Sequence, residues 1–225
     1  MTTYCYYCGT EATTEEHAPP RSIFPKLKDS PDGRDYRKNL IKVPSCETHN
    51  TEKSKEDEYL LYVLVMSLPS NEVAKSQFLT KVRRAIDRRP KLLSRLLLET
   101  REVIVHDTSN DAWSRTIAIR PEEQRLVGIF TSIAKALYFH ETNCPWQGTV
   151  SVLSEFMLSF DNIAQNEKQR QLEEQLNSML ENVLRKGENP DVFFYQFVKI
   201  DDRFLVRLHF YGSTRVSAVY VANNG

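Results

Sequence analysis

The spacing of apolar and polar residues divides the first half of the chain into a turn-rich beginning and a run of helices. Residues 1 to about 55 contain few helix formers and many turn residues. From Glu52, a charged start leads into an apolar body, which predicts a helix that ends before Pro69. The same criteria predict two further helices, over residues 71–88 and 90–99.

Beyond residue 100 the apolar runs become shorter and richer in β-branched residues. REVIVH (101–106) and WSRTIAI (113–119) predict two strands separated by a turn. Residues 120–139 predict a helix, with Pro121 and two glutamates near its amino end. Residues 149–156 predict one more strand.

The last part of the chain combines a long helix with alternating strands. A polar-faced helix is predicted from residue 162 until Gly187 and Pro190 stop it. Three alternating runs follow, DVFFYQFVKI, RFLVRLHFY and RVSAVYVA, and short turns between them indicate an antiparallel meander. The predicted fold class is therefore α+β, with a small module at residues 1–67 and a domain of helices and antiparallel strands at residues 68–225.

Composition limits the cellular settings in which the chain is expected. Of its 225 residues, 40% are hydrophobic, as in ordinary globular proteins. No stretch approaches twenty uncharged apolar residues, so no membrane contact is expected. The start, MTTYCYYCG, lacks the basic and apolar regions of a signal peptide. We therefore expect a cytoplasmic protein, in which paired cysteines more often hold a metal ion than form a disulfide.

Positive charge is concentrated in one stretch of an otherwise balanced chain. Thirty basic and 30 acidic residues give a formal net charge of zero, which argues against binding nucleic acid by bulk electrostatics alone. Residues 81–95, KVRRAIDRRPKLLSR, contain seven lysines or arginines and one aspartate. This stretch indicates either a solvated helical face or a phosphate-facing stripe beside an active site.

Two pairs of metal-ligating residues share the same internal spacing, Cys5-x-x-Cys8 and Cys46-x-x-His49. A tight turn aims both side chains of such a pair at one ion, and two pairs complete a tetrahedron. Three thiolates and one imidazole suit Zn²⁺, and a closed shell of four ligands indicates a structural site. In the alternative, the cysteines are small core residues and His49 lies on the surface, which leaves the matched spacing unexplained.

A carboxylate and an imidazole, Glu16 and His17, lie between these two pairs and precede two prolines. A zinc ion that joins the two ends would hold this segment close to the helix that begins near Asn50. Glu16 and Asn50 could then offer hard oxygen ligands to a divalent ion such as magnesium. His17 would face the other way and accept a proton from water. The alternative is a solvent-exposed turn.

These motifs carry a family resemblance. The order CxxC, Glu-His-x-Pro-Pro, Asn-Leu-Ile-x-Val-Pro-x-Cys-x-x-His-Asn and Lys-Ser resembles the HNH endonucleases, and within them the zinc-stabilised, treble-clef-like ββα-metal subgroup. The match covers residues 4 to about 60. QRLVGIFTSIAKALYFHET and the closing meander resemble stand-alone bacterial HNH proteins of this length. The resemblance implies that residues 1–67 form a ββα-metal nuclease module with a structural zinc ion.

The resemblance also implies a role for each site residue. Glu16 and Asn50 would hold the catalytic Mg²⁺ or Mn²⁺, and His17 would be the general base. Asn39 would brace the loop that carries the histidine, and Lys53 would lie near the scissile phosphate.

The chain departs from the commonest family pattern at two positions. Glu16 stands where aspartate is more usual, which lengthens the arm to the metal by one methylene group. His49 replaces the more frequent fourth cysteine. If His49 bound the catalytic metal instead, the zinc site would be incomplete.

Two functions follow from these observations. The first is a metal-dependent endonuclease that hydrolyses DNA phosphodiester bonds, with bacterial anti-phage defence as its expected setting. Four arginines of the basic stretch would contact the DNA backbone: Arg83, Arg84, Arg88 and Arg89. The zero net charge leads us to expect a partner subunit or self-association that strengthens DNA binding. The alternative is a non-catalytic zinc module that recognises a protein partner or nucleic acid.

Overall fold

The computed structural model describes residues 3–51, 53–68, 70–89, 100–107, 111–154 and 162–222. The helices are α1 (Glu47–Thr51), α2 (Ser54–Met66), α3 (Glu72–Gln77), α4 (Arg83–Arg88), α5 (Glu123–Thr142) and α6 (Ile163–Leu180). The strands are β1 (Thr14–His17), β2 (Lys42–Ser45), β3 (Thr100–Asp107), β4 (Ala112–Ile119), β5 (Thr149–Ser154), β6 (Arg185–Asn189), β7 (Phe193–Ile200), β8 (Arg203–Phe210) and β9 (Thr214–Val221). This mixture of helices and antiparallel strands confirms the α+β class.

The helix predicted over residues 71–88 is continuous from α3 to α4. A π-helical segment, Phe78–Val82, joins the two, and the Asn71 side chain caps the start by accepting a hydrogen bond from the Ala74 amide at 3.0 Å. Segments of this kind widen the helix by one residue per turn and often lie at functional sites. The helix predicted over residues 90–99 lies outside the described residues.

The closing strands form one antiparallel sheet of five strands in the order β5-β9-β8-β7-β6. The predicted meander of β7, β8 and β9 is confirmed, and alternate residues of each strand point to opposite faces. On one face, α5 packs on a row of apolar side chains, and the Tyr220 hydroxyl donates to the Ala134 carbonyl at 2.6 Å. On the other face, Leu176 and Leu180 of α6 pack against Leu205.

The predicted helix that ended at Gly187 was wrong in its last turns. Helix α6 ends at Leu180, and residues 185–189 form the edge strand β6, which pairs with β7. The Gln196 amide donates to the carbonyls of Leu180 and Val183, at 2.7 and 2.9 Å, and so ends the helix. Gly187 has a φ of 130°, which glycine adopts without strain, and a Cβ there would lie 3.0 Å from the Phe193 carbonyl.

The largest buried cluster draws side chains from both predicted domains. It includes Ile23, Phe24 and Tyr36 from the first segment together with residues of α3, α5 and the sheet. The Ile23 carbonyl accepts hydrogen bonds from the Tyr211 hydroxyl and, at 2.6 Å, from the Gln77 amide. The boundary between residues 67 and 68 stays a prediction.

A buried ion pair fixes α6 on the sheet. The guanidinium of Arg207, on β8, donates to Glu173 of α6 at 2.6 Å and to the Ser217 hydroxyl at 3.0 Å, and Arg207 also binds the Asn177 amide oxygen. Because both charged side chains are buried, each needs the other as its counter-charge. Among the described residues, no helix is both long and apolar enough to cross a membrane.

His209 on β8 should make the stability of the sheet depend on pH. Its ring stacks on Phe194 with 4.1 Å between centroids, and its Nε2 donates to the Gln196 side-chain oxygen at 3.0 Å. Burial, followed by the positive charge of Arg207 and two further arginines, lowers the pKa of His209 from 6.5 to about 4. In that pH window the unfolded chain binds a proton that the folded chain does not bind.

Because the unfolded chain gains this proton first, the neutral, buried His209 should lower the free energy of unfolding as pH falls from 6.5 towards 4, by about 3 kcal/mol in all. Above pH 6.5 this effect should be absent. Urea unfolding at pH 7.5 and pH 5 measures the effect. His209→Gln should have a shallower pH dependence than the wild type, whereas His140→Gln, at an exposed position, should match the wild type. Equal pH dependence in wild type and His209→Gln would contradict the assignment.

Candidate functional site

A short antiparallel pair of strands brings the two ends of the first fifty residues together. Glu16 of β1 lies opposite Val43 of β2, and His17 lies opposite Lys42. The Tyr6 amide adds a hydrogen bond to the Pro44 carbonyl at 2.9 Å. Because α1 follows β2 directly, the helix start lies beside the turn that contains the first two cysteines.

Cys5, Cys8, Cys46 and His49 converge at this junction. Their ligand atoms all lie within 4.8 Å of one another. The distance between the sulfurs of Cys8 and Cys46 is 3.9 Å, and His49 Nδ1 lies 3.1 Å from the Cys46 sulfur and 3.8 Å from the Cys5 sulfur. In a tetrahedral zinc site, bond lengths of about 2.3 Å to sulfur and 2.0 Å to nitrogen place the ligand atoms about 3.5–3.8 Å apart.

The four predicted ligands therefore can hold one metal ion such as zinc. The position of His49 also bears on the alternative in which it bound a different, catalytic ion. Its Nδ1 faces the sulfurs of Cys5 and Cys46, so His49 belongs to the same cluster as the three cysteines.

Neighbouring side chains orient the cluster and favour the ionised form of one ligand, Cys8. Burial opposes ionisation of the Cys8 thiol. Hydrogen bonds to its sulfur, the strongest of them with the Thr10 hydroxyl at 3.0 Å, outweigh burial and lower the pKa of Cys8 to about 7. The centroids of the Tyr7 and His49 rings are 4.5 Å apart. The Lys135 ammonium of α5 lies over the Tyr7 ring, 4.5 Å from its centroid. Such second-layer contacts fix the rotamers of metal ligands.

Glu16 lies in a nearly enclosed polar cluster beside the metal ligands. Its side chain is 13% exposed, and one oxygen accepts a hydrogen bond from the Tyr6 hydroxyl at 2.9 Å. The other oxygen pairs with the Lys53 ammonium at 2.8 Å, and Lys53 also donates to the Tyr6 hydroxyl. Burial, and then the Glu16 charge, raise the pKa of Tyr6 far above its usual value, so the phenol keeps its proton.

His17 projects from the opposite face of β1, as the alternation of a strand requires. It shares that face with Glu15 and Lys42, which form an exposed ion pair at 2.9 Å. Burial, followed by the charges of Arg21 and Lys42, lowers the pKa of His17 below 6.5. The imidazole is therefore neutral at neutral pH and has a nitrogen free of a proton.

The two predicted asparagines occupy different surroundings. Asn50, which follows the metal ligand His49, reaches β1 through its side-chain amide, 3.5 Å from the Glu15 carbonyl. It therefore lies beside the strand that carries the acid and the imidazole. Asn39 is exposed in the turn before β2 with a φ of 51°, and among the described residues its side chain makes no hydrogen bond. The role predicted for Asn39 as a brace stays a prediction.

Sequence reasoning missed several residues that shape this centre. Tyr6 lies between Cys5 and Cys8, and the CxxC pattern assigns no role to the residues between its cysteines. Arg37 acts electrostatically on His17 but is 20 residues away from it along the chain. Asp57 lies one helical turn after Lys53 on α2; burial, and then the Glu16 charge, raise the pKa of Asp57 to about 7. The spacing of Lys53 and Asp57 on one predicted helix was the available signal.

The described part of the basic stretch, residues 81–89, contacts the first segment and α2. Arg84 pairs with the buried carboxylate of Asp29 at 2.8 Å, and Arg89 pairs with Glu58 of α2. Arg84, Arg88 and Arg89 line a common cavity, and Arg83 is exposed outside it. Three of the four predicted phosphate-binding arginines are thus gathered on one side of α4.

Comparison of this chain with family models, with curated proteins and with solved structures gives no match.

The metal cluster predicts a specific response to cysteine replacement. Purified protein should contain about one equivalent of a thiophilic divalent ion such as zinc by elemental analysis. Cys46→Ser removes one of four ligands and should lower both the metal content and the midpoint of thermal unfolding. Cys144→Ser, at an exposed cysteine outside the cluster, should change neither. Equal metal content in the two variants would contradict the cluster.

Proposed function

We propose that this chain is a metal-dependent endonuclease of the ββα-metal type that hydrolyses phosphodiester bonds in DNA. The observation that carries the proposal is the placement of Glu16 and His17. They lie on one short strand, project from opposite faces, and are held by the Cys/His cluster beside α1, which bears Asn50, and the start of α2, where Lys53 lies. A carboxylate and a neutral imidazole on one strand supply the metal ligand and the general base that metal-assisted hydrolysis requires.

In this proposal, two kinds of metal ion serve different purposes. The cluster of three cysteines and one histidine holds a structural Zn²⁺ that fixes β1 and α1 relative to each other. Glu16 and Asn50 offer the carboxylate and amide oxygens that Mg²⁺ or Mn²⁺ prefers, and such an ion stabilises negative charge on phosphate oxygens. Both Glu16 oxygens already accept hydrogen bonds, but each carboxylate oxygen has a second lone pair available for an ion.

The chain's own residues then have separate roles. His17, neutral and half-buried, would accept the proton of a water molecule as that water attacks phosphorus. The P–O bond to the leaving 3′ oxygen breaks, and that oxygen takes a proton from solvent water. Lys53 would donate to a phosphate oxygen, because its ammonium has three donors and the bonds to Glu16 and Tyr6 use two of them. Tyr6 keeps Glu16 and Lys53 in register through its hydroxyl.

The basic residues near this centre support a DNA substrate. Arg21, Arg37 and Lys42 act electrostatically on His17, and the arginines of α4 extend the positive surface. Contacts of this kind position a phosphate backbone without reading its sequence. Because the net charge of the chain is zero, the proposal includes a partner subunit or a second copy that adds to DNA affinity.

The proposal places the protein in the cytoplasm of a bacterium. Its cysteine ligands must stay reduced, as they do in that compartment. Destruction of foreign DNA in anti-phage defence is the setting that we propose for its activity.

One observation favours the second candidate, a non-catalytic zinc module that recognises a protein or nucleic acid. Both Glu16 oxygens accept hydrogen bonds, from Tyr6 and Lys53, and a carboxylate bonded in this way can stabilise the module without taking part in a reaction. The two candidates differ in whether removing His17 changes a chemical reaction.

The nuclease proposal predicts plasmid nicking that depends on His17. With Mg²⁺ or Mn²⁺, His17→Ala should lower the nicking rate by about a hundredfold to ten-thousandfold, the usual contribution of a general base. His140→Ala, at an exposed position on α5, should retain wild-type activity. Equal nicking by the wild type and His17→Ala would overturn the nuclease proposal and favour the binding module.

Two adjacent glutamates provide a matched pair for the metal-binding role. Glu16→Gln keeps the shape of the side chain but removes its charge and should abolish metal-dependent nicking. Glu15→Gln makes the same change on the exposed face of β1 that also carries His17, and because Glu15 already pairs with Lys42 in solvent, the rate should change by only about a few-fold. Circular dichroism should show both variants folded. Equal nicking rates for the two variants would show that Glu16 takes no part in the reaction.

A further inference from the structure

A basic cavity lies between α4 and the first segment of the chain, and none of the residues proposed to act on the scissile phosphate lines it. Its volume is 450 Å³, within the range of small-molecule binding sites. Three separate parts of the chain form its walls: the turn around the 3₁₀ helix Leu27–Asp29, one residue of α2, and the run from Lys81 to Arg89. Its lining residues are Lys26, Lys28, Asp29, Glu58, Lys81, Arg84, Ala85, Arg88 and Arg89.

The cavity has a strong excess of positive charge. Its lining contains six lysines or arginines and two acidic residues, a difference of four positive charges in a chain whose formal net charge is zero. Arg84 is paired with Asp29 and Arg89 with Glu58. The other four cations form no ion pair with any described residue: Lys26, Lys28, Lys81 and Arg88.

The Lys81 ammonium lies near enough to other cations, among them Lys26 of the same cavity, to be repelled by them. Its ammonium donates to the Ser22 carbonyl at 2.6 Å, which holds it at the wall of the cavity. Burial, and then the charges of Arg37 and Lys26, lower the pKa of Lys81 to about 8. A bound anion would offset this repulsion, because the two acidic residues of the lining are already paired with Arg84 and Arg89.

The helix that forms one wall presents its cations in a row. Lys81, Arg84 and Arg88 follow the i, i+3, i+7 spacing of a single helical face, and Ala85 between them leaves room. Guanidinium groups donate two parallel hydrogen bonds to phosphate oxygens, and lysines add point charges. A single carboxylate group carries one charge, whereas a diphosphate or triphosphate concentrates about three or four charges on adjacent groups and so matches an excess of four positive charges better.

We infer that this cavity binds a multiply charged phosphate group, either the terminal phosphate of a nucleic acid strand or the polyphosphate of a free nucleotide. The inference does not depend on the proposed hydrolysis, because binding can be measured without a catalytic metal ion. The cavity involves neither Glu16 nor His17, so failure of the nuclease test would leave it standing.

Isothermal titration calorimetry of the full chain with pyrophosphate, and separately with ATP, tests the cavity directly. Both should bind, and Lys28→Gln and Arg88→Gln should each weaken binding by about tenfold or more, the usual loss for a hydrogen bond to a charged group. The two variants change exposed residues on different walls, so both should fold. Lys75→Gln, an exposed charge change on α3 outside the cavity, should bind as the wild type does.

A second arm separates the two sources of phosphate. Tighter binding of a 5′-phosphorylated oligonucleotide than of its 5′-hydroxyl counterpart, lost in Arg88→Gln, would assign the cavity to strand ends. Equal binding of the two oligonucleotides, with Arg88-dependent binding of ATP, would assign it to free nucleotides. If no phosphate compound binds at millimolar concentration, or Lys75→Gln weakens binding as much as Arg88→Gln does, the inference is overturned.

Discussion

The geometry of the candidate site depends on four ligand atoms that converge from the two ends of the first fifty residues. Few buried apolar side chains support this junction: Cys5, Tyr6, Ala18, Val43 and Ala136. The strand pair β1–β2 is four residues long on each side, which is too short to be stable by itself. A metal ion bound by the cluster would supply the constraint that a small core cannot supply, and would hold Glu16 and His17 in their positions.

Around this junction, opposite electrostatic environments lie on the two faces of one strand. On one face, Glu16 is enclosed with Lys53 and Tyr6, so its charge is compensated within the module. On the other face, His17 faces several cations, among them Arg37, which also acts on Lys81 at the basic cavity. Positive charge thus extends from the imidazole to the cavity in a chain that is neutral as a whole.

The parts of the fold that the sequence predicted are those with a strong local pattern. The four ligands were predictable because two pairs share one spacing, and strands β7 to β9 were predictable because their apolar residues alternate. Strand β6, RKGEN, has no such alternation, and its pairing with β7 makes it a strand. Lys26 and Lys28 lie more than 50 residues from Lys81, and the fold of the intervening chain brings them to one cavity. The partnership of Tyr6 with Glu16 likewise follows from β1 packing beside the CxxC turn, which spacing does not encode.

The most direct test of the metal constraint is X-ray absorption spectroscopy at the zinc edge on the purified protein. The account predicts a first shell of three sulfur scatterers at about 2.3 Å and one nitrogen at about 2.0 Å. A shell made of oxygen and nitrogen alone, or one with a single sulfur, would contradict the junction on which the positions of the acid and the imidazole depend.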